Sequence, residues 1–149
     1  MYDFDEIAAM QQQAVELELQ YPIDFLQKDP AELQPVLNGY GSANCPEMLR
    51  QLLSRAFGCY PTAAAIHDLR YEQSDGTEDS RRRADREFAY NLRTLWLHRY
   101  GTRIQGNWLA IYALIKLILA YAAVSWFGRN AWLRSYSKNQ MAAPEAEYE

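Results

Sequence analysis

Residues 63–88, AAAIHDLRYEQSDGTEDSRRRADREF, hold the residue types that acid–base chemistry needs. His67 is the one side chain in this stretch whose ordinary titration falls near neutral pH. Asp68 and Asp85 are carboxylates close to it in sequence, and Tyr71 is a phenol. A carboxylate bonded to one imidazole nitrogen fixes the ring and leaves the other nitrogen as a base toward water. On a helix His67 and Tyr71, four residues apart, share a face. Asp68 is rotated by about 100° onto the neighbouring flank.

Two helices must position these groups. Pro61 opens the first, PTAAAIHDLRYEQ, at the position where proline is tolerated best. The run SDGTED at 74–79 reads as a turn, and Ser80 is placed to cap the helix that follows. That helix carries Phe88, Leu92, Leu95 and Trp96 on one stripe and is interrupted at Gly101 and Gly106. A short turn sends the second helix back antiparallel. His67 then lies about 9 Å and Asp85 about 7.5 Å from the turn, at ~1.5 Å per residue, so the two meet at one level. Ala63, Ala64, Ala65 and Ala84 are small enough for close helix approach. The same pattern also describes a plain helical hairpin with a core histidine satisfied by Asp85 and an exposed Asp68.

The rest of the chain frames this hairpin. Residues 3–20 place Ile7, Met10, Ala14 and Leu17 at helical spacing, and the alternation in VELEL predicts a short strand after that helix. Pro22, Pro30 and Pro35 prevent a long helix over 21–37. NGYGSANCP, residues 38–46, is a loop by composition, and Pro46 opens a short helix, PEMLRQLLSRAF. Residues 107–127, NWLAIYALIKLILAYAAVSWF, are the most apolar stretch. Its length suits a membrane span, with Trp108 and Trp126 as interfacial anchors and Arg103 and Arg129 as flanks. Lys116 at its middle favours the other reading, a helix buried on most sides in a small domain. The expected organisation is a single, mainly helical domain over 1–134, followed by a polar, frayed tail over 135–149.

Composition bounds the function. The chain has 149 residues, 49% of them hydrophobic, enough for one domain with a core. Eleven Tyr and four Trp suit packing, or a surface that meets lipid or a partner. A formal charge of −4 argues against a nucleic-acid binder. The one basic cluster, Arg81, Arg82, Arg83 and Arg86, reads as a solvated helix start. Cys45 and Cys59 are too few for a disulfide scaffold and do not have metal-site spacing. MYDFDEIAAM is acidic where a secretory signal is basic, so residence in the cytoplasm is the starting expectation.

At its chemical residues the chain resembles the phospholipase A2 superfamily, most closely the viral, disulfide-poor branch. That branch carries a G-x-G calcium loop, then A-A-x-x-H-D-x-x-Y, then A-D-x-x-F. The matches are Gly39-Tyr40-Gly41, then Ala64-Ala65-Ile66-His67-Asp68-Leu69-Arg70-Tyr71 with the alanines shifted by one, then Ala84-Asp85-Arg86-Glu87-Phe88. Over roughly residues 38–132 it also resembles a small phage and bacterial family of unknown function. That family reads approximately G-x-x-T-D-x-A-S-x-P, A-A-x-x-H-D-x-x-Y, S-R-x-x-A-D-x-x-F and A-V-x-x-F-G-x-x-A-W. The present chain matches with Ala43 and Pro46, with Ser80-Arg81, and with Ala123-Val124 through Phe127-Gly128 to Ala131-Trp132. It departs at Gly41 and Asn44, where the family carries Asp and Ser.

The resemblance implies a phospholipase A2-like helical hairpin and a role for each residue. His67 would be the base, Asp85 its orienter and Tyr71 a brace for Asp85. Asp68 would hold Ca²⁺ with the carbonyls of Gly39 and Gly41. Three functions follow as expectations. One is a Ca²⁺-dependent hydrolase acting on a phospholipid membrane surface. Another is a non-catalytic virion or tail component that meets other phage proteins. The third is an accessory protein anchored through residues 108–127. The corresponding locations are the host cytoplasm, the virion or a membrane.

Overall fold

The computed structural model describes residues 2–37, 60–102 and 106–142. Gly39, Gly41, the 38–46 loop, the PEMLRQLLSRAF segment and both cysteines lie outside the described residues. The described part is mainly helical: α1 (Phe4–Glu16), α2 (Asp24–Gln27), α3 (Pro30–Leu33), α4 (Pro61–Glu72), α5 (Glu78–Tyr100) and α6 (Trp108–Ala142).

Helix α1 starts at a reciprocal cap. The Asp3 carboxylate accepts from the Glu6 amide, and the Glu6 carboxylate accepts from the Asp3 amide, both at 2.8 Å. Ile7, Met10 and Ala14 form its buried face. The strand expected from VELEL is absent; there is no strand among the described residues. Instead Leu17 caps the helix and Glu18 turns left-handed at φ 50°. The Leu19 amide then bonds back to the Ala14 carbonyl, and the Glu18 amide to that of Val15. This is a helix-terminating turn that satisfies the last carbonyls. It tucks Leu19 into the core, so the apolar alternation serves a turn and needs no sheet partner.

The segment after this turn is tied to α5 by one side chain. Asn91, fully buried, accepts from the Gln20 amide and donates to the Gln20 carbonyl, both at 2.7 Å. A side-chain amide here substitutes for a backbone partner, which an irregular buried segment requires. The short helices α2 and α3 follow, separated by the proline breaks, and they contribute Phe25 and Leu33 to the core.

Helix α4 is the centre of the molecule. Thr62 through His67, Leu69 and Tyr71 are all buried, with α1, α5 and α6 packed around it. A run of alanines makes that possible, because backbones approach closely only where side chains are small. Thr77, not Ser80, caps α5: its hydroxyl accepts from the Ser80 amide at 3.3 Å. The Ser80 hydroxyl donates instead to Asp75. Together with the Thr77 amide and hydroxyl, it holds the Asp75 carboxyl below the usual carboxylate range.

Helix α6 departs furthest from expectation. It runs past Arg134 to Ala142, beyond the boundary expected for the domain, where the C-terminal end of α4 gives it partners. Lys138 donates to the Glu72 carboxylate at 2.6 Å and Asn139 to the Glu72 carbonyl at 2.7 Å. A helix buried on most sides is not what forms either: the apolar window Trp108–Trp126 is only 28% buried. Its inner face is small, with Ala110, Ala113, Ala120 and Ala123 buried. Most of its large apolar side chains, Trp108, Leu109, Ile115, Leu119 and Trp126 among them, face outward, while Val124 and Trp132 are buried.

Candidate functional site

The five-residue connection from Gln73 to Thr77 lets α5 run back along α4, and the two helices bond across the gap. The Arg70 guanidinium forks onto the Glu87 carboxylate at 2.7 and 3.1 Å. One turn deeper, His67 meets Asp85: Nε2 lies 3.4 Å from Oδ1. His67, Asp85 and Tyr71 are therefore brought together as the sequence expects. Asp68, on the adjoining flank, is half-buried.

Asp85 is the hub. The Tyr71 hydroxyl donates to its Oδ1 at 2.8 Å, and the Arg81 guanidinium donates to its Oδ2 at 2.6 Å. Both bonds are shorter than the contact to His67, so Arg81 and Tyr71 hold the carboxylate and the imidazole approaches an acceptor already fixed. Burial, reinforced by the negative charge of Asp85, pushes the Tyr71 phenol far above its ordinary value and keeps it a donor. Hydrogen bonds donated to the Glu78 carboxylate, and then the charge of Asp85, hold the Arg81 guanidinium protonated well above its ordinary range.

Arg81 corrects the sequence reading. It is not part of a solvated helix start: it is buried, whereas Arg82, Arg83 and Arg86 are exposed as expected. A buried guanidinium beside a buried carboxylate avoids the cost of an uncompensated charge. The signal was present, since Arg81 and Asp85 stand four residues apart on one helix.

The ring of His67 is held by stacking as well as by charge. Its centroid is 4.2 Å from that of Tyr71 and 4.6 Å from that of Phe88, and the residue is 7% exposed. A carboxylate only accepts, so a His67–Asp85 hydrogen bond puts the proton on Nε2 and the lone pair on Nδ1. Among the described residues no hydrogen bond reaches Nδ1.

The C-terminal motif closes the cluster from the third side. Gly128 faces the Tyr71 hydroxyl so closely that a Cβ there would overlap it. Trp132 meets the Tyr71 ring edge-on at 5.1 Å. The Ser74 hydroxyl in the turn donates to the Trp132 carbonyl at 2.9 Å. The spacing of Gly128 and Trp132, four residues, puts both on the face of α6 that covers Tyr71. The H-D-x-x-Y and F-G-x-x-A-W patterns thus contact each other through Tyr71, Gly128 and Trp132.

The described residues contain no group of three or more His, Cys, Asp or Glu side chains arranged to hold a metal ion. Of the calcium ligands the resemblance implies, Asp68 alone is among them. No protein-family model, no curated protein and no solved structure matches this chain.

Proposed function

We propose that this protein is a phospholipase A2-like carboxylic ester hydrolase acting on membrane phospholipid, with His67 as general base and Asp85 as its orienter. The observation that carries this reading is the imidazole whose Nε2 faces a carboxylate fixed by Tyr71 and Arg81, while Nδ1 makes no hydrogen bond among the described residues. In the reaction, Nδ1 takes a proton from water and the resulting hydroxide attacks the ester carbonyl. The tetrahedral adduct collapses, and the proton passes from Nδ1 to the departing alcohol oxygen. Asp85 keeps the ring in the required tautomer and offsets the charge the imidazolium gains. The resemblance assigns Asp68, Gly39 and Gly41 to a Ca²⁺ that would supply positive charge to the oxyanion. The described residues include one of those ligands, Asp68, and the steps above use none of them.

A second reading is favoured by the enclosure of His67 between two rings and by Arg81, which already neutralises Asp85. On that reading the cluster is a structural brace in a non-catalytic virion or tail component. Fatty-acid release from mixed phospholipid vesicles, with and without added calcium, separates the two. Hydrolase activity requires release that His67→Ala abolishes. Equal behaviour of wild type and His67→Ala removes the enzyme and leaves the brace, for which co-purification with assembled phage particles is the expected result.

A further inference from the structure

We infer that the outward face of α6 docks in the plane of an anionic phospholipid bilayer and does not cross it. The helix is inverted relative to one that covers a water-soluble core. Ala110, Ala113, Ala120, Ala123 and Gly128 face the protein, joined by Val124 and, near the C-terminal end, Trp132, while Trp108 and Trp126 are 80% and 82% exposed. At about 100° per residue, Trp108, Tyr112, Ile115, Leu119 and Trp126 fall within an arc of about 60°. Large apolar chains facing outward in one stripe need a partner.

Charge identifies that partner. From Trp108 to Ala142 the helix carries Lys116, Arg129, Arg134 and Lys138 and no carboxylate, in a chain of net charge −4. Lys116 and Arg129 flank the apolar stripe on opposite sides, about 80° and 60° from its Trp108–Trp126 line. The Lys116 ammonium lies 4.5 Å from the centroid of the Tyr112 ring, its stem lying along the helix surface. Cations bordering an apolar stripe with aromatic ends match a surface of acyl chains under negative headgroups. A second copy of the chain would bring the same cations to this face and no acid to meet them.

The packing on the other side excludes a span. The Trp96 indole donates to the Ala110 carbonyl at 3.1 Å, and Tyr71 packs on Trp132. Helices α4 and α5 therefore accompany α6 from Ala110 to Trp132. Arg86, Arg93 and Arg99 on α5 are exposed and would be drawn into hydrocarbon if α6 crossed. Lying flat, α6 sinks its stripe about 5–10 Å while α5 stays in water.

This docking does not rest on hydrolysis, so either idea can fail alone. The test uses the full chain and sedimentation with phosphatidylcholine vesicles, with and without phosphatidylglycerol. Binding is expected to the mixed vesicles, much weaker to phosphatidylcholine alone, and reversible in alkaline carbonate. The double substitution Ile115→Glu/Leu119→Glu, at exposed positions, is expected to abolish it with helicity by circular dichroism unchanged. Arg129→Glu, a milder change at an exposed position, is expected to weaken it by at least about fivefold. A chain that stays in the supernatant, variants that bind as wild type does, or resistance to carbonate would each overturn the inference. So would a wild-type dimer that the double substitution dissociates without any vesicle binding.

Discussion

Around Asp85, charged and polar side chains are buried and meet one another: Arg81 and Tyr71 in short hydrogen bonds, His67 in a longer one. On the outer side of α6 the reverse holds, with Trp, Ile and Leu turned to the surface over a row of buried alanines. The hairpin interior is complete in itself, because each charge has its partner within the fold. The α6 surface is not complete, because apolar area left toward water gains nothing until something covers it. Stability and association are therefore written on opposite sides of one helix. Substitutions at the cluster should be felt in unfolding, and those on the outer stripe in binding.

The largest effect is expected at the hub. Asp85→Ala leaves the Arg81 guanidinium and the Tyr71 hydroxyl buried without their acceptor, a loss of about 3–5 kcal/mol. Urea unfolding followed by circular dichroism measures it. A change below 1 kcal/mol would mean that the cluster is open to water and that the contrast between the two regions is false.

The next effect sharpens the contact between the two motifs. Gly128→Ala puts a methyl group where the Tyr71 hydroxyl sits, at an expected cost of about 1–3 kcal/mol. Tyr71→Phe, which removes that hydroxyl and its bond to Asp85, costs about 1.5–3 kcal/mol by itself. In the Tyr71→Phe background Gly128→Ala should cost less than it does in wild type. Additive costs would show that Gly128 is not shaped by Tyr71.

The sequence announced the meeting of His67 and Asp85, because helical rise and a short turn fix which levels of two helices face each other; Tyr71 shared the His67 face by spacing, and its bond to Asp85 was implied by the resemblance alone. It did not announce Arg81 as a cluster member, since four arginines near a helix start read as one solvated patch and only packing singles out the buried one. VELEL alternated like a strand, yet alternation cannot make a strand without an edge to pair with, and Glu18 in a left-handed turn ended the helix instead. Hydropathy found residues 108–126 but could not tell which side of the helix was covered. Within that window size decides it for most positions: the alanines Ala110, Ala113, Ala120 and Ala123 lie inside, and Trp108, Leu109, Leu119 and Trp126 outside. Read by size as well as by polarity, the inversion is visible in the residues themselves.

The smallest effect concerns the cap region of α5. Hydrogen bonds from Arg81 and Arg82 hold the Glu78 carboxyl down at about 2, against an ordinary value of 4.5. A depressed carboxyl adds stability that is fully present above its unfolded value and is lost as pH falls through its folded value. The advantage of wild type over Glu78→Gln should thus be constant above pH 5 or so and fade from about 4.5 to about 2. Acid titration of both proteins measures it. A difference independent of pH over that window would remove the ion pairs from the cap.

The central claim is that one imidazole nitrogen is committed to Asp85 and the other is not. Nitrogen-15 NMR of the His67 ring, at a pH where the imidazole is neutral, reads this directly. The expected result is a proton on Nε2 and a bare Nδ1 in wild type, with that preference lost in Asp85→Ala. A proton on Nδ1 in the wild-type protein would contradict the claim and remove the base from the proposed reaction.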